Sequence, residues 1–155
     1  MLHSYRISSA SQLLHYNASM SSRAGSYGAH TDCHDFAGST AGDDRTLTIL
    51  IYATTTGGSS GATAFPALGL EMPVVAGTAV VFQSLTEHGD CQPYSVHASL
   101  PVVPGSSAVD KVVYQKWVHT GLYDRRQHGE GAAAGPAYAG CDTAEDCRMF
   151  IRPAV

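Results

Sequence analysis

Residues 45–55, "RTLTILIYATT", give the clearest indication of the fold in the sequence. They form a run of β-branched and apolar residues between "AGDD" at 41–44 and "TGGSSG" at 56–61, as is typical of a buried strand. The period of two in a strand divides its side chains between two faces. One face carries Thr46, Thr48, Leu50 and Tyr52, and the other carries Leu47, Ile49 and Ile51.

Five more short strands are predicted downstream, separated by Gly, Pro or acidic turn residues. They are "TAFPAL" (63–68), "LEMPVV" (70–75), "GTAVVFQ" (77–83), "YSVHASLPVV" (94–103) and "DKVVYQKWV" (110–118). With no helical period between them, the chain is predicted to be mainly β, an antiparallel sandwich or jelly roll. Residues 7–16 form a weaker apolar patch, helical or extended. We predict a core over residues 1–120 and an irregular tail over residues 121–155.

Composition limits the classes of function. The chain has 155 residues, of which 44% are hydrophobic and 14% charged, which suits one globular domain. A net charge of -4 with nine Lys and Arg gives no basic surface for nucleic acid or for an anionic membrane. The sequence has no apolar run long enough to span a bilayer, and its N-terminus lacks the apolar core of a signal peptide. We therefore expect a soluble chain without membrane insertion, with the secretory pathway open if the N-terminus is truncated.

The four cysteines, at positions 33, 91, 141 and 147, are too few and too scattered to predict a disulfide scaffold. Cys141 and Cys147 form a disulfide or remain free thiols, and the sequence leaves both open. A structural zinc site is a further alternative, because "CH" and "HGDC" supply four suitable ligands. These would be Cys33, His34, His88 and Cys91.

The segment "YGAHTDCHDF", residues 27–36, is rich in metal-ligand side chains. His30 and Asp32 are two residues apart, so on an extended segment both side chains leave the same face. His97, within a later predicted strand, is the best candidate for a third ligand. Two imidazoles and one carboxylate with open positions are the ligand set of non-haem Fe(II) oxygenases.

The two lysines of the chain, Lys111 and Lys116, both lie in the strand "DKVVYQKWV". Alternation places Lys111 on the face of Gln115 and Trp117, and Lys116 on the opposite face. A lysine on such an apolar strand is costly to bury unless an anion meets it. The alternative is that Lys111, near the strand end, reaches solvent.

Seven ordered motifs resemble one family, the prolyl 4-hydroxylase branch of the 2-oxoglutarate and Fe(II)-dependent dioxygenases. They are "LLHY" (13–16), "YGAHTD" (27–32), "RTLTILIY" (45–52), "GGSSGATAFP" (57–66), "PVVAGTAVVF" (73–82), "HASLPV" (97–102) and "KVVYQKW" (111–117). The resemblance covers residues of about 12 to 120. Extra residues "SSGA" and "SSAVD" depart from the pattern in turns, where we expect them to alter loops and leave the ligands in place.

The resemblance implies a fold and a site. The fold is a double-stranded β-helix, or jelly roll, that lacks part of the usual N-terminal helical support. His30, Asp32 and His97 are similar to the iron ligands, and Lys111 is similar to the residue that anchors the distal carboxylate of 2-oxoglutarate. The other positions similar to cosubstrate contacts are Tyr52, Thr48, Leu50, Trp117 and Tyr16.

The resemblance also implies an activity: an Fe(II)-dependent dioxygenase that hydroxylates an unactivated C–H bond, foremost in peptidyl proline. The cosubstrates would be 2-oxoglutarate, converted to succinate, and O₂, with ascorbate as reductant. The partner would be a proline-containing peptide or protein. The alternatives are an oxygenase acting on a small molecule or amino acid, and a non-catalytic jelly-roll binding module.

Overall fold

The computed structural model describes residues 5–19, 25–33, 45–86, 90–103 and 109–120. Within these ranges the chain forms eight strands and two short 3₁₀ turns. The strands are β1 (Tyr5–Tyr16), β2 (Tyr27–His30), β3 (Arg45–Tyr52), β4 (Thr63–Phe65), β5 (Leu70–Met72), β6 (Ala79–Gln83), β7 (His97–Ser99) and β8 (Lys111–Thr120). The 3₁₀ turns are Pro66–Leu68 and Pro93–Ser95.

The strands form two four-stranded sheets. The first has the order β1-β8-β3-β6 and the second has the order β2-β7-β4-β5, and all of their pairings are antiparallel. Neighbours in each sheet are mostly distant in sequence, as a jelly roll requires. The predicted mainly β, jelly-roll class is confirmed. The ambiguous patch at residues 7–16 is extended and belongs to β1.

Strand β3 shows the alternation that its sequence predicts. Its even-numbered positions 46–52 are buried, whereas Leu47 and Ile49 are half-buried and Ile51 is 40% exposed. The strand is therefore buried on one face only. Because Thr48 and Leu50 share the inner face, the same strand supplies both a polar and an apolar group to the space between the sheets.

The core lies between the two sheets. Phe65 from β4 and Phe82 from β6 meet edge to face, with ring centroids 5.2 Å apart. Such aromatic pairs stabilise a core beyond the area that they bury. The buried apolar cluster comprises Leu50, Tyr52, Phe65, Leu68, Val74, Val80, Phe82 and Val113.

The turn before β4 brings its backbone close to β8. Gly61 has a φ of +67°, a conformation that favours glycine. A Cβ at this position would lie 3.1 Å from Val102 Cγ2 and 3.3 Å from Lys111 Cδ. The extra residues "SSGA" (59–62) fall in this turn, as predicted. The turn places the carbonyl oxygen of Gly61 within hydrogen-bond distance of the Lys111 ammonium.

A disulfide joins Cys33 to Cys91, with Cα atoms 5.6 Å apart. The sequence predictions, which offer a disulfide only between Cys141 and Cys147, did not include this pair. The zinc alternative is wrong, because the two sulfurs are bonded to each other. No local pattern predicts this bond, since the two cysteines are 58 residues apart and the fold alone brings them together.

Several predictions fall outside the described residues: the tail 121–155, the cysteines Cys141 and Cys147, the imidazoles His34 and His88, and most of the extra segment at 106–110. In the part of the chain that the structure describes, no helix is long and apolar enough to cross a membrane.

Candidate active site

The two predicted histidines and the predicted aspartate lie together at one end of the second sheet. His30 and His97 are direct partners in the pairing of β2 with β7, and their ring centroids are 4.3 Å apart. Asp32 lies two residues beyond the end of β2. Its Oδ1 is 3.7 Å from His30 Nε2, and its Oδ2 is 4.0 Å from His97 Nε2. One ligand atom from each residue lies within 4.8 Å of the others, so a single metal ion could contact all three.

Backbone carbonyls orient both imidazoles. His30 Nδ1 lies 2.9 Å from Gly28 O, and His97 Nδ1 lies 2.9 Å from Ser95 O. A carbonyl oxygen only accepts, so in each ring Nδ1 carries the proton and donates it. Each Nε2 is then left with a lone pair directed at the space beside Asp32. This arrangement of outer hydrogen bonds is typical of metal-binding histidines.

Two donors hold the carboxylate of Asp32. Thr48 Oγ1 donates to Asp32 Oδ2 at 2.6 Å, and Gln115 Nε2 donates to the same oxygen at 3.2 Å. Both donors are buried, and Asp32 is itself only 4% exposed. Oδ1, the oxygen nearer His30, makes neither of these bonds. The carboxylate is therefore fixed through one oxygen, and the other is available to a metal ion.

His97 is enclosed by aromatic rings. Its ring centroid is 4.7 Å from that of Phe82 and 5.8 Å from that of Phe65. Burial lowers the pKa of His97 below its usual value, while the nearby Asp32 opposes the shift. A lowered pKa keeps the imidazole neutral near pH 7, which is the form that binds a metal.

Lys111 is buried between the sheets, with 2% of its surface exposed. Its ammonium donates to Gly61 O at 2.7 Å, Ser99 Oγ at 2.8 Å and Thr63 Oγ1 at 3.4 Å. All three partners are neutral, and no carboxylate of the described residues pairs with the ammonium. Burial lowers the pKa of Lys111 to about 8. The alternative in which Lys111 reaches solvent is wrong.

One cavity of about 220 Å³ connects Lys111 with the His-Asp-His group. Three residues predicted as cosubstrate contacts line it: Tyr16, Leu50 and Trp117. Tyr16 faces Lys111 across β1 and β8, with Lys111 Nζ 5.0 Å from the centre of its ring. Burial raises the pKa of the Tyr16 phenol, against the effect of a hydrogen bond with Ser99, so Tyr16 remains a neutral wall residue near pH 7.

Thr48 and Tyr52, the other two predicted contacts, are not part of the cavity lining. Thr48 bonds Asp32, and Tyr52 donates its hydroxyl to Thr63 Oγ1 at 2.7 Å. Burial raises the pKa of Tyr52 to about 12. Both residues therefore lie outside the cavity lining and each bonds a residue that belongs to it: Thr48 bonds Asp32, and Tyr52 bonds Thr63. Their direct contact with a cosubstrate stays a prediction.

Sequence reasoning did not assign several polar residues of the site. Ser99 and Thr63 bond Lys111, and Gln115 bonds Asp32. Strand periodicity was a usable signal for two of them, because Ser99 shares a face with His97 and Gln115 shares a face with Lys111. Tyr27 packs edge-on against His30, at 4.3 Å, is 54% exposed and lines the cavity.

The two antiparallel sheets and the cavity between them define a fold class, the prolyl hydroxylase jelly roll. A viral collagen prolyl hydroxylase from Paramecium Bursaria Chlorella virus-1, solved as a complex with 2-oxoglutarate, superposes with a TM-score of 0.62 at 24% identity. The match covers 76% of this chain and 61% of that chain. A truncated form of the same viral enzyme gives a TM-score of 0.61 at 23% identity, covering 76% of this chain and 58% of the other.

A sequence match agrees with this fold. A protein named as a putative prolyl 4-hydroxylase from Acanthamoeba polyphaga mimivirus is 37% identical over 78 residues, or 50% of this chain. No protein-family model matches the chain. The chain spans 28% of the mimivirus protein and about three fifths of each solved viral chain. In fold, and in sequence over half its length, it resembles the prolyl 4-hydroxylase-like 2-oxoglutarate oxygenases.

Thr48 offers a test of how the carboxylate is held. We expect Thr48→Val to weaken binding of Mn(II), a probe ion, by about 10-fold, because Asp32 loses its shortest hydrogen bond while the side-chain shape is nearly kept. Isothermal titration calorimetry measures the affinity. Thr78→Val is the matched control, since Thr78 Oγ1 bonds Val75 O in an exposed turn. Equal affinities in the two variants would show that Thr48 does not position the ligand.

Proposed function

We propose that this protein is an Fe(II)- and 2-oxoglutarate-dependent dioxygenase that hydroxylates an unactivated C–H bond, with peptidyl proline as the foremost substrate. The observation that carries the proposal is the placement of Lys111. A buried ammonium without an anionic partner among the described residues shares one cavity with the His-Asp-His group.

The donor set fits Fe(II). Two neutral imidazole nitrogens and one carboxylate oxygen leave other coordination positions open, which suits a non-haem Fe(II) oxygenase. His30, Asp32 and His97 would hold the ion. When bound, Fe(II) together with 2-oxoglutarate and O₂ supplies the oxidising power for C–H hydroxylation. Ascorbate would serve as the reductant that maintains Fe(II).

The ammonium fits one end of 2-oxoglutarate. Lys111 would bind the distal carboxylate, with the hydroxyls of Ser99 and Thr63 beside it as further donors. A bound carboxylate would raise the pKa of Lys111 from about 8 towards its usual value, because the charged form gains a partner. The keto-acid end of the cosubstrate would then face the His-Asp-His group across the same cavity.

The aromatic lining of the cavity suits a peptide. Tyr27, which is 54% exposed, and the buried Trp117 both line the cavity, and the Arg45 guanidinium lies 3.8 Å from the centre of the Trp117 ring. Trp117 Nε1 is buried and has no hydrogen-bond partner among the described residues. Aromatic walls accommodate proline rings, and a free N–H donor can bond a peptide carbonyl. The net charge of -4 disfavours a nucleic-acid substrate.

The test is succinate production from 2-oxoglutarate with Fe(II) and ascorbate, combined with mass spectrometry of the peptide. We expect proline-rich peptides to gain one oxygen atom, and matched peptides with Pro→Ala to remain unchanged. Hydroxylation of a free amino acid but of no peptide would favour the small-molecule alternative. Absence of succinate with every substrate, in protein loaded with Fe(II), would favour a non-catalytic binding module.

A further inference from the structure

The Cys33–Cys91 disulfide lies between the two segments that carry the candidate metal ligands. Cys33 directly follows Asp32, and Cys91 is six residues before His97. Cys33 is buried, whereas Cys91 is half-buried. The disulfide therefore links the backbone next to Asp32 to the segment that precedes His97.

The segment around Cys91 is well fixed. Cys91 pairs with Leu85 in an isolated bridge, and Gln92 N donates to Ser84 O at 2.9 Å. Gln92 also begins the 3₁₀ turn Pro93–Ser95, and Ser95 O accepts the bond that orients His97. Cys91 thus belongs to the same rigid support as His97.

The backbone around Asp32 makes fewer contacts with the other described residues. Strand β2 has four residues and, within the described part of the chain, lies at the edge of its sheet and pairs with β7 alone. Its register with β7 is irregular between Tyr27 and His30. Asp32 lies beyond the end of this strand. A covalent bond at the next residue, Cys33, therefore restrains the position of the carboxylate more directly than the strand does.

We propose that the Cys33–Cys91 disulfide is a redox-controlled positioning device for Asp32, and that its reduction weakens binding of the divalent ion. The inference rests on the proposed metal site. A small dithiol is the reductant. One of its thiolates attacks Cys91 Sγ, the more exposed residue of the pair, and Cys33 leaves as a thiolate that takes up a proton. The second thiol of the reductant resolves the mixed disulfide, so that the dithiol becomes a disulfide and both cysteines become thiols.

Mn(II) is the probe, because it prefers oxygen and nitrogen ligands and the new thiols compete little for it. Protein is reduced with dithiothreitol, desalted without oxygen and titrated, while electron paramagnetic resonance counts the free Mn(II). We expect the reduced protein to bind Mn(II) at least 10-fold more weakly than the oxidised protein. Reoxidation with glutathione disulfide should restore the affinity of the same sample.

The double variant Cys33→Ala/Cys91→Ala provides the matched comparison. It should bind Mn(II) as weakly as the reduced protein and should not respond to reductant or oxidant. Circular dichroism is recorded on every sample. Equal affinity in the oxidised and reduced proteins would overturn the inference, and so would unfolding on reduction, since the bond would then hold the fold and not the ligand.

Thermodynamic linkage gives a second measurement on the unaltered sequence. If the disulfide state changes Mn(II) affinity 10-fold, saturating Mn(II) must shift the disulfide–dithiol equilibrium 10-fold towards the disulfide. Alkylation in a dithiothreitol redox buffer, with peptides containing Cys33 and Cys91 quantified by mass spectrometry, measures the shift. No shift would overturn the inference. Failure of the oxidised protein to bind Mn(II) at all would instead contradict the proposed function.

Discussion

Asp32→Asn should reduce the affinity for Mn(II) by at least 100-fold while the protein remains folded. The substitution keeps the shape of the side chain but removes the negative charge that a divalent ion needs. Asp32 is the only one of the three candidate ligands that is anionic, because the two imidazoles bind as neutral groups. The amide oxygen can take the place of Oδ2 and accept the bonds from Thr48 and Gln115, which leaves the NH₂ group, a donor that cannot bind a cation, in the place of Oδ1.

Thermal unfolding with and without Mn(II) separates a binding defect from a folding defect. An ion that binds only the folded state raises Tm as its concentration exceeds Kd. We expect this increase for the unaltered protein and its loss in Asp32→Asn. The variant without Mn(II) should unfold near the temperature of the unaltered protein, because the amide oxygen can keep the bonds from Thr48 and Gln115 while the buried charge is removed.

Glu71→Gln is the control for the loss of one negative charge. Glu71 lies exposed on strand β5 and is not one of the three candidate ligands. Its variant should bind Mn(II) as the unaltered protein does. If Asp32→Asn retained the Mn(II) affinity of this control, Asp32 would not be a ligand and the assignment of the metal site would be wrong.

Strand periodicity predicted the fold well because burial on one face leaves a strong pattern in sequence. Alternation along β3 and β8 placed Thr48, Leu50, Lys111 and Trp117 on inward faces, and the structure has them there. The spacing of His30 and Asp32 also placed the two side chains together. The pairing of His30 with His97 required the register of β2 on β7, which no local pattern encodes.

Other parts of the site could not be predicted from local sequence for the same reason. The partners of Lys111 come from the turn at Gly61, from β4 and from β7, so they meet only when both sheets are assembled. The Cys33–Cys91 bond depends on contact between segments 58 residues apart. The bond from the Thr48 hydroxyl to Asp32 could not be predicted either, because alternation gives the face of a side chain and not its partner.

Lys111→Met should weaken 2-oxoglutarate binding by about 100-fold and leave Mn(II) binding nearly unchanged. The substitution keeps the apolar stem of the side chain and removes the ammonium, so the distal carboxylate loses its charged partner. The fluorescence of Trp117, the single tryptophan of the chain, reports binding because Trp117 lines the cavity. Lys116→Met is the matched control, since Lys116 lies on the opposite face of the same strand.

The same variant should be more stable than the unaltered protein at pH 7 when no ligand is bound. Burial lowers the pKa of Lys111 from 10.5 to about 8, so the unfolded chain binds more protons than the folded protein between these pH values. The free energy of unfolding therefore rises with pH across this window, and below it the buried charge costs on the order of 3 kcal/mol. Lys111→Met should remove both the free-energy cost of the buried charge and the increase in unfolding free energy between pH 8 and 10.5.

Urea unfolding at pH 7, 8, 9 and 10 measures this effect. The difference in unfolding free energy between Lys111→Met and the unaltered protein cancels the contributions of the titratable groups that the two proteins share. We expect the difference to shrink as pH rises, because Lys111 becomes neutral in the folded protein. In parallel, 2-oxoglutarate affinity should fall as pH rises above about 8 in the unaltered protein but not in the variant. Unchanged 2-oxoglutarate affinity in Lys111→Met would show that the anion binds elsewhere, even if the stability difference appeared as expected.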